Sequence, residues 1–448
     1  MTAENPLIFR GSPEAEDARR ARETELAGTQ SPPQLPADLL RSLCLASGAD
    51  DAGFVEIGRA GLGEENDHAR RLFPAVATLI SLVAVTNRDA IRSVSRAAAN
   101  QTWQHEGDRL GHSAAAVLRR LADRGVRGVA ASVGFPMNMH ASAGRSFWDI
   151  AHKTVAVEAG MGHMGINRNV IHPRFGNYVL LDTILIDATL DHYGQPLDFN
   201  PCLGCNLCVA ACPVGAIHAD GSFDGFACLN HNYREFLFGF TDWIETLAAS
   251  RDVPTYRAKF REPETLSMWQ SLSFGPNYKS AYCQAVCPAG EDVIGPYLAD
   301  KKRWRDDVVL PLIHREEPVY VASGTPAEQA ARRKRAKYIR YVDFRPDVST
   351  VHNFLLGVRH RFDRARAAEV DVAIEFEFPD GRACVSIADR TLDVSEESLG
   401  HADAVITCRE PDYIRLLHPR PLGAFGLPIP VETSGDPAAL TRLLGCLA

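Results

Sequence analysis

The sequence contains no apolar run long enough to cross a bilayer. Its longest, Phe73 to Val85, is broken by Pro74, Thr78 and Ser81, and a helical span needs about 20 apolar residues. It also lacks an excess of positive charge. Lys and Arg number 48 against 56 Asp and Glu, a formal charge of -8, so no nucleic-acid partner is expected. Arg19, Arg20 and Arg22 lead into no apolar stretch. Neither a secretory nor a twin-arginine signal is therefore expected, and the expected address is cytoplasmic. The bias of a disordered or collagenous chain is missing too, since 46% of residues are hydrophobic and 23% charged. Eleven cysteines in such a chain read as thiols or metal ligands rather than disulfides.

At 448 residues the chain has room for about three domains. Residues 1–36, with Ser31-Pro32-Pro33, read as a flexible tail. Residues 37–200 read as mixed α/β. Leu39, Leu40, Leu43 and Leu45 suit a helix, Gly53 to Ile57 a short strand, and Ala75 to Val85 a buried strand. Ala90 to Arg124 reads as a helix broken near Gly107 and capped by Gly125. Residues 201–300 hold seven of the eleven cysteines and form a second unit. Residues 301–368 read as a connecting, surface-wrapping segment, with Arg332 to Lys337 as a solvated basic helical face. In residues 369–448, Val370, Val372, Ile374, Phe376 and Phe378 alternate with Asp371, Ala373, Glu375 and Glu377, the period of a strand. Asp380-Gly381 marks a turn, Ala383 to Ile387 the return strand and Ala404 to Cys408 another. With helices expected over Pro411 to Leu417 and Pro437 to Leu447, this is a small α+β domain.

Cys202, Cys205, Cys208, Cys212 and Pro213 form C-x2-C-x2-C-x3-C-P. Three closely spaced thiolates wrap one face of an iron–sulfur cubane, and the fourth cysteine ligates a second cluster. A zinc site would use two pairs and leave Cys208 idle. A depleted second motif follows in Cys283, Cys287 and Pro288, with Cys228 between the two. By ferredoxin-type exchange, Cys202, Cys205, Cys208 and Cys287 hold one 4Fe-4S cluster, while Cys212, Cys228 and Cys283 hold the other. A complete motif would place a cysteine where Ser280 stands. The second cluster then has a Ser280 alkoxide, an external fourth ligand, or only three irons as 3Fe-4S. Cys44, Cys384, Cys408 and Cys446 are expected to pack in cores.

Gly160, Gly162 and Gly165 spell G-x-G-x-x-G, with Asp182 following. A dinucleotide site would need a strand before this motif and a helix after it. Asp149 to Glu158 instead has helical spacing, and Asn167, Asn169, Pro173, Gly176 and Asn177 leave no room for a crossover helix. The glycines are read instead as letting backbone approach a large flat ligand.

The stretch Ala159 to Asn167, the stretch Phe175 to Asp187, the cysteine motifs with their Cys212–Cys228 spacing, and the Tyr278 to Pro288 segment together resemble the epoxyqueuosine reductase and reductive dehalogenase superfamily. The resemblance covers residues 37–300. It implies a nitroreductase-like domain over 37–200 that binds base-off cobalamin through Gly160, Gly162, His163, Gly165 and Asn167, fused to a two-cluster ferredoxin module over 201–300. Electrons would pass from an external ferredoxin or flavodoxin through the clusters to cobalt, for two-electron reduction of a small organic substrate. Departures accompany the match. The helical repeats with which epoxyqueuosine reductases hold tRNA have no counterpart, and their proton-donating Asp falls on Ser146 here. The export signal and the fused reductase domain of the dehalogenases have no counterpart either. Residues 369–448 resemble a sterol-carrier-like domain, which could hold a lipid, shield the pocket or support a homodimer.

A cobalt-centred reduction needs a proton donor. Asp149, His152, Lys153, His172 and Tyr178 fall in the segments the resemblance places around the pocket. Asp149 and His152 rank first, because a helix over 149–158 would set them three apart on one face. His163 could cap the corrin. Two other functions stay open: reductive dehalogenation, and a non-enzymatic ferredoxin-type adaptor.

Two clusters give about seven to eight irons per chain. A hard alkoxide is a poorer partner for this iron than a soft sulfur, so Ser280→Cys is expected to stabilise the second cluster against oxygen. An unchanged iron count and EPR spectrum would remove Ser280 from the cluster's surroundings.

Overall fold

The structure is a computed structural model. It describes residues 33–447 except 138–147, 343–350, 408–431 and the short gaps 199, 203, 280–281, 315, 323–324, 335, 337, 352–353, 356–357, 359–361, 365 and 379–380. Ser280, Cys408 and the helix expected over Pro411 to Leu417 lie outside the described residues. Among the described residues no helix is long and apolar enough to cross a membrane.

Part of the expected tail is ordered, because Gln34–Leu35 pairs in parallel with Thr189–Leu190. Beyond it come helix α1 (Ala37–Ala46), strands β1 (Asp51–Glu56) and β2 (Thr78–Val85), helix α2 (Arg96–Ala122), strand β3 (Gly128–Ala130), helix α3 (His152–Glu158) and strand β4 (Val179–Ile186). The four strands form one antiparallel sheet in the order β1-β2-β4-β3. Both its faces are covered, which is why β2 reads as an almost unbroken apolar run. Phe54, Ile80, Leu82 and Ile184 pack on Leu40, Leu110, Ala114 and Val117 of α1 and α2. On the other face Val55, Leu79 and Leu185 meet Val155 and Ala159 of the α3 segment. The mixed α/β class expected for this region is met.

Two helical details differ from expectation. α1 buries Leu40 and Cys44, while Leu39 and Leu45 face solvent. α2 runs through Gly107 without a break, and a Cβ at that position would meet nothing within 4 Å. The local cost of about 1 kcal/mol for a helical glycine is carried by a helix with a long buried face. The break falls earlier, between a short helix Arg88–Arg92 and Arg96. Gly125 follows the helix end at φ 75° as expected.

The cysteine-bearing unit is built from short helices α4 (Leu207–Ala211), α5 (Gly225–Asn232) and α6 (Tyr282–Ala285). The reading of 301–368 as a surface wrap is corrected here. Strand β5 (Pro318–Val321), helix α7 (Pro326–Arg333) and strand β6 (Tyr338–Tyr341) form a β-α-β unit with the two strands parallel. Trp304, Val309, Leu312, Val319, Val321, Ala327 and Ala331 share one apolar core with Cys208, Cys212, Tyr282 and Val286. That core crosses the boundary drawn at residue 300. Spaced alanines on α7 supply its buried side, a weak hydrophobic signal beside four successive basic residues.

The C-terminal sheet contains β7 (Val372–Phe378), β8 (Gly381–Ala388), β9 (Thr391–Ser395), β10 (Ala404–Thr407) and β11 (Glu432–Gly435), followed by helix α8 (Ala439–Gly445). Its strand order is β9-β8-β7-β10-β11. Val372, Ile374, Phe376 and Phe378 face inward as their alternation requires. Glu375 breaks the alternation by being buried, its carboxylate accepting from Ser398 Oγ at 2.6 Å and the Leu399 amide at 2.9 Å. This core begins before residue 369, since Val351, Phe354, Leu355 and Val358 belong to it. Phe354 lies edge-on against Phe376 and Phe378, with ring centres 4.9 and 5.0 Å apart. Phe376→Ala is expected to cost about 3–5 kcal/mol, read as a shift in the denaturant midpoint of this unit.

One carboxylate is trapped in the first sheet. Asp182, on β4 opposite Leu82, is fully buried. Its Oδ1 accepts the Thr183 amide at 2.7 Å, and its Oδ2 has no partner among the described residues. Burial pushes its carboxyl up to about 7. A carboxyl raised on folding binds its proton more tightly in the native state, so the Asp182 contribution to stability is fully present at acid pH and is lost as pH rises from about 4 to about 7. Over that window the loss is about 4 kcal/mol. Asp182→Asn is expected to remove this decline in thermal melts. Parallel pH profiles for the two proteins would contradict it.

Candidate functional site

The Cys283–Cys287 strip is short and is held from outside. Asn167 and Asn177 each direct an amide N–H toward the Cys283 carbonyl at 3.4 Å. Gln284 donates to the Asn177 carbonyl at 2.9 Å and accepts from Trp103 Nε1 at 3.1 Å. The Ala285 carbonyl accepts from the Tyr178 hydroxyl at 2.9 Å and from Arg92 Nε at 3.1 Å. On the other side, Trp304 Nε1 donates to the Val286 carbonyl at 3.3 Å, and the Tyr282 hydroxyl bonds Glu317. The sheet domain and the β-α-β unit thus grip the same strip.

The seven cysteines of the motifs form no disulfides and lie close enough to raise one another's thiols. Burial, then the thiols of Cys283, Cys205, Cys287 and Cys202, hold Cys208 far above the ordinary thiol range. Burial pushes Cys287 up to about 12, with Cys205 and Cys202 adding to it. Burial likewise raises Cys228, helped by Cys283 and Cys212, and takes Cys283 to about 11, helped by Cys212. Cys283 acts on Cys208 and Cys287 as well as lying under the influence of Cys212, so the seven thiols form one neighbourhood and these effects do not divide them between two clusters. Among the described residues no three His, Cys, Asp or Glu side chains converge on a single-ion site. Each thiolate of a cubane binds its own iron, so an apo cluster site need not converge. Buried thiols crowded together favour ionisation only when iron neutralises them, which fits a cluster.

The glycine stretch follows α3 and runs into a two-residue hairpin, His163–Met164 against Val170–Ile171. No crossover helix follows, so the dinucleotide reading fails on structure as it did on sequence. The chain's own packing accounts for the glycines. A Cβ on Gly160 (φ 76°) would lie 2.7 Å from the Gln195 carbonyl oxygen, one on Gly162 would lie 2.5 Å from that of Ile171, and one on Gly165 would lie 2.7 Å from Asn167 Oδ1. Gly162→Val would therefore break this hairpin directly, whether or not a ligand binds beside it. Asn167 is buried and ties the stretch to Cys283.

The proton-donor candidates fall in different surroundings. The helix expected from 149 begins at His152, so Asp149 lies in the preceding bend, half-buried. His152 is spent on structure. Its Nε2 donates to the Ser132 carbonyl and its Nδ1 accepts from the Thr183 hydroxyl, both at 2.8 Å, and burial lowers its basicity. Tyr178 is fully buried, with its hydroxyl bound to Ala285 and receiving Arg92 Nε at 3.0 Å. Burial makes this hydroxyl a weaker acid still. His172 holds the Arg174 and Phe175 amides on Nδ1 and Asp51 on Nε2. Lys153 bonds the Arg168 carbonyl at 2.6 Å.

Sequence reasoning missed an aromatic wall. Tyr278 lies 5.6 Å from Trp103, 5.5 Å from Tyr233 and 5.0 Å from Phe236, ring centre to ring centre. Phe236 continues to Phe135 at 5.3 Å, and Tyr233 to Trp148 at 6.2 Å. Phe135 is exposed and the others half-buried. These residues come from four distant stretches, so no local pattern marks them. Trp148 places Asp149 next to this wall in sequence.

Residues 196–218 match the 4Fe-4S binding domain family. The epoxyqueuosine reductase of Cyclobacterium marinum is 36% identical over 91 residues, 20% of this chain and 29% of that protein. That of Bacillus cereus is 31% identical over 81 residues, 18% of this chain and 21% of that protein. The matches thus span less than a third of these curated relatives. Among solved structures, a reductive dehalogenase described as suggesting a mechanism for B12-dependent dehalogenation overlays with a TM-score of 0.38 at 13% identity, covering 64% of this chain and 41% of that one. Over about a fifth of its length the chain is thus similar in sequence to epoxyqueuosine reductases, and residues 196–218 match the 4Fe-4S binding domain family.

Proposed function

We propose that this protein is a cobalamin- and iron–sulfur-dependent reductase, acting in the cytoplasm on an organic substrate with electrons from an external ferredoxin or flavodoxin. The observation that carries the reading is the seam at Cys283. There the Gly160 to Asn167 stretch of the sheet domain, through Asn167, touches the backbone of a cluster ligand. A redox group seated on that stretch would stand beside the second thiolate set, so electrons need not leave the chain. The reductase activity named for the relatives points the same way.

The residues fit a bound group at this seam. Asn177, whose Nδ2 points at the Cys283 carbonyl, has a buried Oδ1 with no partner among the described residues. Buried polar atoms of this kind normally have a partner. His152 and His172 have both ring nitrogens engaged, so neither would be offered to a bound metal. When bound, cobalamin supplies a metal that collects single electrons and delivers them in a pair. Asn167, Asn177 and the Gly160 to Gly165 backbone would hold it. Asp149 would supply the proton that balances the added electrons. The aromatic wall would exclude water and stack a flat apolar molecule.

That wall and the charge of -8 favour a small substrate over a tRNA. The same wall suits a halogenated aromatic compound, which keeps reductive dehalogenation as the second reading.

Anaerobic reconstitution tests the proposal. About one cobalt per chain is expected beside full iron, with the cobalt reducible through the clusters. Asp149→Asn is expected to keep both metals and lose most turnover, about 100-fold or more. A protein fully loaded with iron that retains no corrinoid would instead be the electron-transfer adaptor.

A further inference from the structure

The β-α-β unit reaches the cluster peptide through the residue that ends its helix. Lys334 follows α7, and its ammonium donates to the carbonyls of Val209 at 2.7 Å, Ala210 at 3.1 Å and Cys212 at 2.6 Å. α4 is five residues long, so the Val209 and Ala210 carbonyls lie at a helix end that lacks following turns to bond them, while the Cys212 carbonyl also accepts the Gly215 amide at 3.3 Å. All three N–H groups are used, and the charge is fixed in place. A second contact seats the unit on the same turn. A Cβ on Gly215 (φ 67°) would lie 2.6 Å from Ala330 Cβ, so α7 lies against the turn that follows Cys212.

We infer that Lys334 is a positioning residue that braces the Cys212 turn and, as a fixed cation beside both thiolate sets, raises the reduction potential of the clusters. Reduction adds a negative charge to a cluster, and a nearby cation stabilises the reduced form more than the oxidised one. The ammonium bonds the carbonyl of Cys212 itself and that of Val209, the residue after Cys208, so it sits on peptide that bears one cysteine of each set. Arg332, two residues before it on α7, is engaged by Glu328 at 2.8 Å. The inference rests on Cys208 and Cys212 being cluster ligands, which the iron and sulfide content of the native protein tests separately.

An EPR-monitored redox titration of the iron-loaded full chain decides it, with two variants. Lys334→Gln keeps N–H donors but removes the charge; Lys334→Arg keeps the charge. Lys334→Gln is expected to hold native iron while its clusters become harder to reduce. The reduced-to-oxidised ratio at a fixed potential should fall by up to tenfold, about 59 mV for a one-electron couple. Lys334→Arg is expected to restore the native potential. An unchanged potential in Lys334→Gln overturns the inference. Loss of iron from that variant, with or without rescue by Lys334→Arg, makes Lys334 a structural clasp only and overturns it as well. A native protein without iron would fail the cluster reading itself.

Discussion

A helix of four residues cannot hold itself in water, yet α6 carries Cys283 and is followed at once by Cys287. On the proposed assignment this strip supplies one thiol to each cluster. Its position therefore has to be imposed, and the sheet domain does this with hydrogen bonds from Asn167, Asn177, Tyr178 and Arg92. Each such bond contributes only about 1 kcal/mol net. Together, in a buried seam, they set where both clusters lie relative to the glycine stretch. The fold of the sheet domain and the wiring of the cluster unit are thus one problem with one solution.

The same constraint explains why residues 301–341 are not a tether. With the sheet domain gripping one side of the strip, the other side needs cover, and Trp304, Glu317 and the β-α-β unit supply it. Apo thiols this buried and crowded oppose ionisation, so iron loading and consolidation of this core are coupled. Lys334 contributes on the outside of the same core, where a fixed cation meets the peptide that bears Cys208 and Cys212.

The legible parts of the sequence were those where chemistry or period is local. The C-x2-C-x2-C-x3-C-P spacing announces a cluster, and Val372 to Phe378 announces a strand with one buried face. The rejection of a dinucleotide site was also local, because Pro173 and the asparagines forbid the helix such a site needs. What escaped was long-range. Tyr178 and His152 have the chemistry of proton donors, but their partners, Ala285 and Ser132 among them, are distant in sequence. The glycines were read as space for a ligand, whereas Gln195 and Ile171 occupy the space beside Gly160 and Gly162. α7 hid its buried side behind alanines. The aromatic wall has no local signature at all.

The central claim is that seven cysteines, sorted as four and three, hold two iron–sulfur clusters against the sheet domain. Mössbauer spectroscopy of anaerobically purified, iron-enriched protein tests it most directly. The account predicts two distinguishable cluster sites, one fully thiolate-ligated 4Fe-4S and one altered by its missing fourth thiolate. A single cluster type ligated by Cys202, Cys205, Cys208 and Cys212, with Cys228, Cys283 and Cys287 left as alkylatable thiols, would contradict it.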